Sequence, residues 1–200
     1  MFWDHVAGVY DIFANFINRK THRVLREKVS GLIDPEDDVL ECACGTGLLS
    51  TVIAPRCHSL MATDFSRNML KQTAKKCRGY GNVKVEEADI LHLNFADQSF
   101  DKVVAGNVLH LLDEPYTALS ELARVCKHGG KLIIPTYMNK NDGGRTNRFA
   151  GAAGKAGAGF KRQFTFEAYK TFFREAGYTD GEYTMIEGRI PCAIAIITRK

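Results

Sequence analysis

The chain has 200 residues, 45% of them hydrophobic and 25% charged, and its formal net charge is +4. This composition suffices for one domain with its own hydrophobic core, and it excludes disordered chains and small disulfide-stapled proteins. The modest charge does not require a nucleic-acid partner, and no apolar run is long enough to span a bilayer. We therefore expect a single cytoplasmic domain without stable membrane insertion.

The first thirty residues show helical periodicity. Apolar side chains recur at Val6, Val9, Phe13 and Ile17. This spacing predicts one or two amphipathic helices before the first strand.

A glycine turn follows the first predicted strand. The apolar run that begins at Val39 ends in Glu41, and Gly45 and Gly47 come next. Such glycines let a strand turn tightly into a helix and let a ligand lie against the main chain. A second apolar run leads to Asp64. Asp64 follows Gly47 at close to the spacing of roughly 20 residues at which a strand-end carboxylate binds ribose hydroxyls. The pair predicts an adenosine-type ligand, with an ordinary tight turn as the alternative.

Strands and helices then alternate along the chain. Strands are predicted at 59–64, 82–86, 100–106, 131–137, 183–187 and 192–198, and helices at 48–53, from Ser66, at 115–126 and at 165–175, with a stop at 128–130. This order predicts an α/β fold with a parallel sheet and helices on both faces. The link 188–191 is too short for a parallel crossover, so the last strand is expected to be antiparallel.

Six cysteines are scattered through these elements, and we expect buried thiols. Alternation along a strand predicts that Cys42 and Cys44 face the same side. No nearby residues complete a ligand set, so no metal site is predicted.

The segment 139–163 combines basic residues with glycines and interrupts the alternation. Its basic residues are Lys140, Arg145, Arg148, Lys155, Lys161 and Arg162. We interpret it as a flexible basic insertion.

Five motifs carry a family resemblance. They are ECACGTG at 41–47, TDFSRNML at 63–70, ADI at 88–90, SFDKVV at 99–104 and CKHGGK at 126–131. In this order they resemble the motifs of class I S-adenosylmethionine-dependent methyltransferases. The resemblance implies a Rossmann-like, seven-stranded, mostly parallel sheet with helices on both faces and an antiparallel last strand. An NAD-dependent oxidoreductase is less favoured, because its loop prefers a third glycine or alanine where this chain has Ser50.

The resemblance implies S-adenosyl-L-methionine as cofactor, with its methionine part near the glycine turn. Gly45 and Gly47 would approach this part, and Glu41 would hold the loop and the amino group. Gly106 and Asn107 would line the methyl side.

The adenosine part would lie along the next two strand ends. Asp64 would bind both ribose hydroxyls, and Phe65 and Met69 would sandwich the adenine. Asp89 would accept from the exocyclic amine, while the Ile90 backbone would meet the ring. The alternatives are core packing for Phe65 and Met69 and loop capping for Asp89.

Methyl transfer needs mainly in-line positioning, because the sulfonium already activates the methyl group. If the acceptor must lose a proton, His110 is the candidate base. Tyr10 would contact the cofactor or substrate through its ring face. The alternatives are a structural or solvated His110 and simple helix packing of Tyr10.

The N-terminus adds a second, shorter resemblance. FWDHVAGVYD at 2–11 and the later His22 and Arg23 are similar to the start of ubiquinone/menaquinone C-methyltransferases. We interpret residues 1–30 as lid helices and expect a small-molecule acceptor, with Arg145 and Arg148 pairing with an anionic one. A quinone-type C-methyltransferase and a non-catalytic methyltransferase-like domain are the alternatives.

Overall fold

The computed structural model describes residues 18–138 and 161–200 of the chain. Their strands are β1 (Asp38–Cys42), β2 (Ser59–Asp64), β3 (Val83–Glu87), β4 (Phe100–Ala105), β5 (Cys126–Tyr137), β6 (Glu182–Ile186) and β7 (Cys192–Thr198). These strands form one sheet in the order β3-β2-β1-β4-β5-β7-β6.

The helices lie close to their predicted positions. They are α1 (residues 18–30), α2 (Ser50–Ile53), α3 (Arg67–Cys77), α4 (Pro115–Val125) and α5 (Phe166–Glu175), with 3-10 turns at Ala54–Arg56 and Leu109–Leu111. Ser66 caps α3, as predicted, because its hydroxyl accepts from the Met69 backbone N–H. No helix within the two described ranges is both long enough and apolar enough to cross a membrane.

Strand directions confirm the predicted sheet. The strands β1 to β5 pair in parallel, and β7 runs antiparallel to both β5 and β6. The antiparallel last strand lies between β5 and β6 and is not the edge of the sheet. The chain winds outward from β1 in one direction through β3 and then from β4 in the other, and ligands bind at the carboxyl ends of strands at such a reversal.

Helices cover both faces of the sheet, as predicted. Successive strand residues point to opposite faces, so Leu40 belongs to one buried cluster and Val39 to the other. The Leu40 side contains residues of α4 and α5, including Leu119, Leu122, Tyr169 and Phe173. The Val39 side contains residues of α1, α2 and α3, including Leu25, Val29, Ile53 and Leu70.

The predicted helix stop at 128–130 is wrong. The helix α4 ends at Val125 and β5 begins at Cys126, so the two glycines lie inside the strand. A Cβ on Gly130 would lie 2.6 Å from the Asp101 carbonyl oxygen, and the pairing of β4 with β5 shifts register beside this point. The glycines therefore permit a bulge against β4 instead of capping the helix.

All six cysteines are free and buried, which confirms the predicted buried thiols. The prediction that Cys42 and Cys44 share a face is wrong, because they belong to opposite clusters. Ala43 has a φ of 52° and turns the chain between them, so strand alternation does not extend to Cys44. Within residues 18–138 and 161–200, no three metal-ligating side chains group together.

Candidate functional site

A cavity of about 420 Å³ opens at the carboxyl ends of β1, β2, β4 and β5, where the strand order reverses. Nine of the ten predicted cofactor residues line it: Glu41, Gly45, Asp64, Phe65, Met69, Asp89, Ile90, Gly106 and Asn107. The tenth, Gly47, is not among the lining residues. Residues far apart in sequence therefore meet at one place, although their individual roles stay predictions.

The two glycines of the turn act differently. Both have positive φ, 57° at Gly45 and 83° at Gly47. A Cβ on Gly45 would meet nothing within 4 Å, whereas one on Gly47 would lie 3.1 Å from the Thr73 hydroxyl oxygen. Gly45 thus leaves bare backbone at the cavity, and Gly47 lets α3 pack closely against the turn.

Asp64 joins the glycine turn to the start of α3. One carboxylate oxygen accepts from the Gly45 N–H at 2.8 Å, and the other accepts from the Ser66 N–H at 2.8 Å. Each oxygen has two acceptor sites, so both can take further donors from a ligand in the cavity. Asp64 therefore fixes the shape of the site and presents negative charge to it.

Glu41 lies beneath the turn with only 2% of its surface exposed. The Ser50 hydroxyl donates to its carboxyl at 2.5 Å. Burial raises the pKa of Glu41 to about 8, and the nearby Asp64 charge adds to this shift. This raised pKa favours the protonated form of Glu41 at neutral pH, and a bound cation would favour its ionised form.

The predicted adenine residues present one exposed and one buried side chain. Phe65 is 51% exposed, so the core-packing alternative does not hold for it, whereas Met69 is buried. Asp89 accepts from the Leu91 N–H at 2.9 Å and thus caps its own loop, as the alternative interpretation held. It also lines the cavity, so capping and ligand contact are compatible.

Asn107 lies just past β4 with a φ of 55°, and its N–H donates to the Pro135 carbonyl at 2.7 Å. Its side-chain oxygen is buried, and no group in the described ranges bonds to it. A buried amide without partners is costly. Asn107 is therefore suited to hydrogen-bonding a ligand.

Of the two predicted catalytic residues the structure describes one, His110, which is not in the described lining of the cavity. His110 lies in the 3-10 turn Leu109–Leu111, is 4% exposed, and has its pKa lowered to about 4 by burial. Its ring centroid lies 6.4 Å from that of Tyr137, which does line the cavity. This position favours the structural interpretation of His110. Tyr10, like Arg145 and Arg148, lies outside the described residues.

The sequence prediction missed a hydrogen-bonded pair in the lining. His22 on α1 and Tyr137 at the end of β5 both line the cavity, and His22 Nε2 lies 2.6 Å from the Tyr137 hydroxyl oxygen. His22 appeared only as part of the N-terminal resemblance, and Tyr137 only as a strand end. No local pattern links residues so far apart in the chain.

The cavity favours a cationic ligand. Its described lining includes the carboxyl groups of Glu41, Asp64 and Asp89, and no lysine or arginine. Low-dielectric walls strengthen the attraction between such carboxylates and a cation.

Comparisons with known proteins agree with this geometry. The family described as "Methyltransferase domain" matches residues 40–134. A demethylmenaquinone methyltransferase of Thermobifida fusca is 35% identical over 141 residues, which are 68% of this chain and 60% of the relative. The chain thus spans less than two thirds of the length of such curated relatives.

Solved structures share the fold. A SAM-dependent methyltransferase from Thermotoga maritima superposes with a TM-score of 0.74 at 19% identity and full coverage of both chains. Magnesium protoporphyrin IX methyltransferase from Synechocystis, solved with bound SAH, gives a TM-score of 0.67 at 19% identity, covering 89% of this chain and 84% of that one. At such identities the likeness shows the fold alone.

Proposed function

The chain belongs to the class I S-adenosylmethionine-dependent methyltransferases, and from this premise we propose that it methylates a small-molecule acceptor. One observation carries the proposal. The carboxyl groups of Glu41, Asp64 and Asp89 surround a bare glycine turn, and the described lining contains no basic side chain. The negative charge of Asp64 and Asp89, with Glu41 able to ionise opposite a cation, suits a sulfonium cofactor and disfavours the anionic pyrophosphate of NAD.

The residues present fit that cofactor. Its sulfonium supplies an electrophilic methyl carbon and a neutral thioether leaving group. Gly45 would let the methionine part lie against the backbone, Glu41 would ionise opposite its ammonium group, and Asp64 would accept from the ribose hydroxyls. Such contacts would position the cofactor for attack by a nucleophile, which is the main requirement of the reaction.

The acceptor enters from the side of β4 and β5. Val108, Leu111 and Leu112 give this part of the cavity an apolar wall. Together with the demethylmenaquinone methyltransferases among the relatives, this wall supports a quinone-type C-methyltransferase as the second candidate. An anionic acceptor and a cytoplasmic location stay predictions, the former because Arg145 and Arg148 lie outside the described residues.

Methyl transfer is tested directly with labelled cofactor. The full chain is incubated with S-adenosylmethionine carrying a labelled methyl group and with a metabolite extract, and labelled products are identified by mass spectrometry. We expect one class of small molecule to gain the label, and only with active protein. If every metabolite stays unlabelled, the proposal is contradicted. An oxidoreductase or a non-catalytic domain would give that result.

A further inference from the structure

The pair formed by Tyr137 and His22 lies on the acceptor side of the cavity. The predicted cofactor residues follow β1, β2, β3 and β4, whereas Tyr137 ends β5. In the sheet order, β5 lies two strands from β1, which corresponds to about 10 Å at the usual spacing between strands. The pair therefore lies beside Gly106 and Asn107, which are expected at the methyl side, and beyond the positions expected for the rest of the cofactor.

The surroundings of the pair suit a flat, apolar molecule with a polar group. Val108, Leu111 and Leu112 line the same cavity as Tyr137 and His22. An aromatic ring packed on these apolar side chains would bring a ring hydroxyl to the polar pair.

Building on the proposed function, we propose that Tyr137 and His22 together remove the hydroxyl proton of an aromatic acceptor during methyl transfer. The acceptor proton passes to the Tyr137 oxygen as the proton of Tyr137 passes to His22 Nε2, so the ring must start as the Nδ1–H tautomer. The released electron pair, on the oxygen or delocalised to the adjacent ring carbon, forms the bond to the methyl carbon.

Atoms and charge balance in this step. The bond from methyl carbon to sulfur breaks with its electrons on sulfur, so the positive charge of the sulfonium is replaced by that of the His22 imidazolium. If the ring carbon is methylated, that carbon then loses its hydrogen to solvent as a proton, the C–H electrons restore the aromatic ring, and the carbonyl oxygen takes up a proton to restore the hydroxyl.

A purely structural role is the competing explanation, in which the pair only attaches α1 to β5. However, α1 has a separate attachment to the β6–β7 hairpin. The Asn18 amide donates to the Ile190 carbonyl at 2.9 Å and accepts from the Ile190 N–H at 3.2 Å. The position of the helix therefore does not depend on the Tyr137 hydroxyl alone.

The titration of the pair depends on several neighbouring charges. Tyr137 stacks against His22 with ring centroids 6.2 Å apart, and the ring centroid of His110 lies 6.4 Å from that of Tyr137. The other titratable or charged groups are Glu41 on β1, Cys44 in the turn, Asp64 on β2, Asp89 after β3, Cys192 on β7, and Arg19, Arg23 and Arg26 on α1. Variants are therefore compared at matched pH.

A spectroscopic test uses naphthol as the probe, because naphthol and its anion absorb at different wavelengths. With the full chain and S-adenosylhomocysteine, we expect bound naphthol to ionise at a lower pH than in water. Tyr137→Phe and His22→Gln should bind naphthol but lose this effect. Tyr116→Phe and His58→Gln, which alter exposed residues, serve as controls and should behave like the wild type.

The same variants separate this inference from the proposed function. Calorimetric affinity for S-adenosylhomocysteine should stay within about twofold in both pair variants, while the rate constant for methylating a hydroxylated aromatic falls about 100-fold. A wild type that does not bind S-adenosylhomocysteine would contradict the proposed function alone. Failure to bind naphthol, or ionisation of naphthol that is the same in wild type and Tyr137→Phe, would overturn the role of the pair.

Discussion

At the scale of single residues, the carboxyl groups of the cavity both hydrogen-bond to neighbouring protein groups and line the cavity. Asp64 bonds to two backbone N–H groups and still faces the cavity, and Glu41 bonds to Ser50 beneath it. The sequence predicted both residues, because a strand that ends in an acid beside glycines is a short-range pattern. It did not predict the pairing of His22 with Tyr137, because only tertiary folding brings α1 to the end of β5.

Asp64→Ala should weaken cofactor affinity by roughly tenfold or more, from losing a charge-assisted hydrogen bond of about 1.5–3 kcal/mol. Asp64→Asn keeps an acceptor oxygen without the charge, so its cofactor affinity should lie between those of the wild type and Asp64→Ala. Titration calorimetry measures the affinities, with the exposed Asp180→Ala as control. Unchanged affinity in a folded Asp64→Ala variant would refute the role of Asp64.

Glu41 should couple cofactor binding to proton release. Because its pKa is raised to about 8, it is mainly protonated below that pH, and a bound ammonium group would drive it to ionise. We expect binding below about pH 8 to release more protons from wild type than from Glu41→Gln, and the difference to vanish well above that pH. Calorimetry in buffers with different ionisation heats counts the protons. Equal release from both proteins would exclude this coupling.

His110 should make the fold sensitive to mild acid. Its folded pKa of about 4 lies below the unfolded value of 6.5, so its stabilising contribution is complete above pH 6.5 and is lost as the pH falls toward 4. The free energy of unfolding falls by about 3 kcal/mol at most through this titration. Urea unfolding across this range should show a shallower decline for His110→Gln than for wild type, with exposed His58→Gln as control. Parallel curves for wild type and His110→Gln would contradict the assignment.

At the scale of elements, the sequence predicted most helices and strands because their apolar periodicity differs clearly. The errors occurred where one local signal has two structural meanings. A pair of glycines after a helix can cap it or permit a bulge, and contact with Asp101 decides for the bulge at Gly130. Likewise, strand alternation failed at Cys44 because Ala43 turns the backbone.

The packing of α3 on the glycine turn gives a stability test. Gly47→Ala should destabilise the fold by roughly 1–3 kcal/mol, because its φ of 83° is strained for alanine and its Cβ would press on Thr73. Gly79→Ala is the matched control, since no atom lies within 4 Å of that Cβ and its φ is not positive. Chemical denaturation measures both. A loss no larger for Gly47→Ala than for the control would contradict the packing argument.

At the scale of the whole molecule, the order of the sheet creates the cavity. The chain winds outward in two directions from the β1–β4 pair, and the loops that follow the parallel strands converge at the point of reversal. An antiparallel β7 between β5 and β6 extends the sheet beyond β5. The motifs at 41–47, 63–70 and 88–90 meet there because each one lies at the carboxyl end of a strand, whereas the motif at 99–104 lies within β4 and that at 126–131 begins β5.

The central claim is that this cavity binds S-adenosylmethionine, and titration calorimetry of the full chain tests it most directly. We expect one-to-one binding of S-adenosylmethionine and of S-adenosylhomocysteine, and no binding of NAD under the same conditions. Binding of NAD alone, or of none of the three molecules by a folded chain, would contradict the claim.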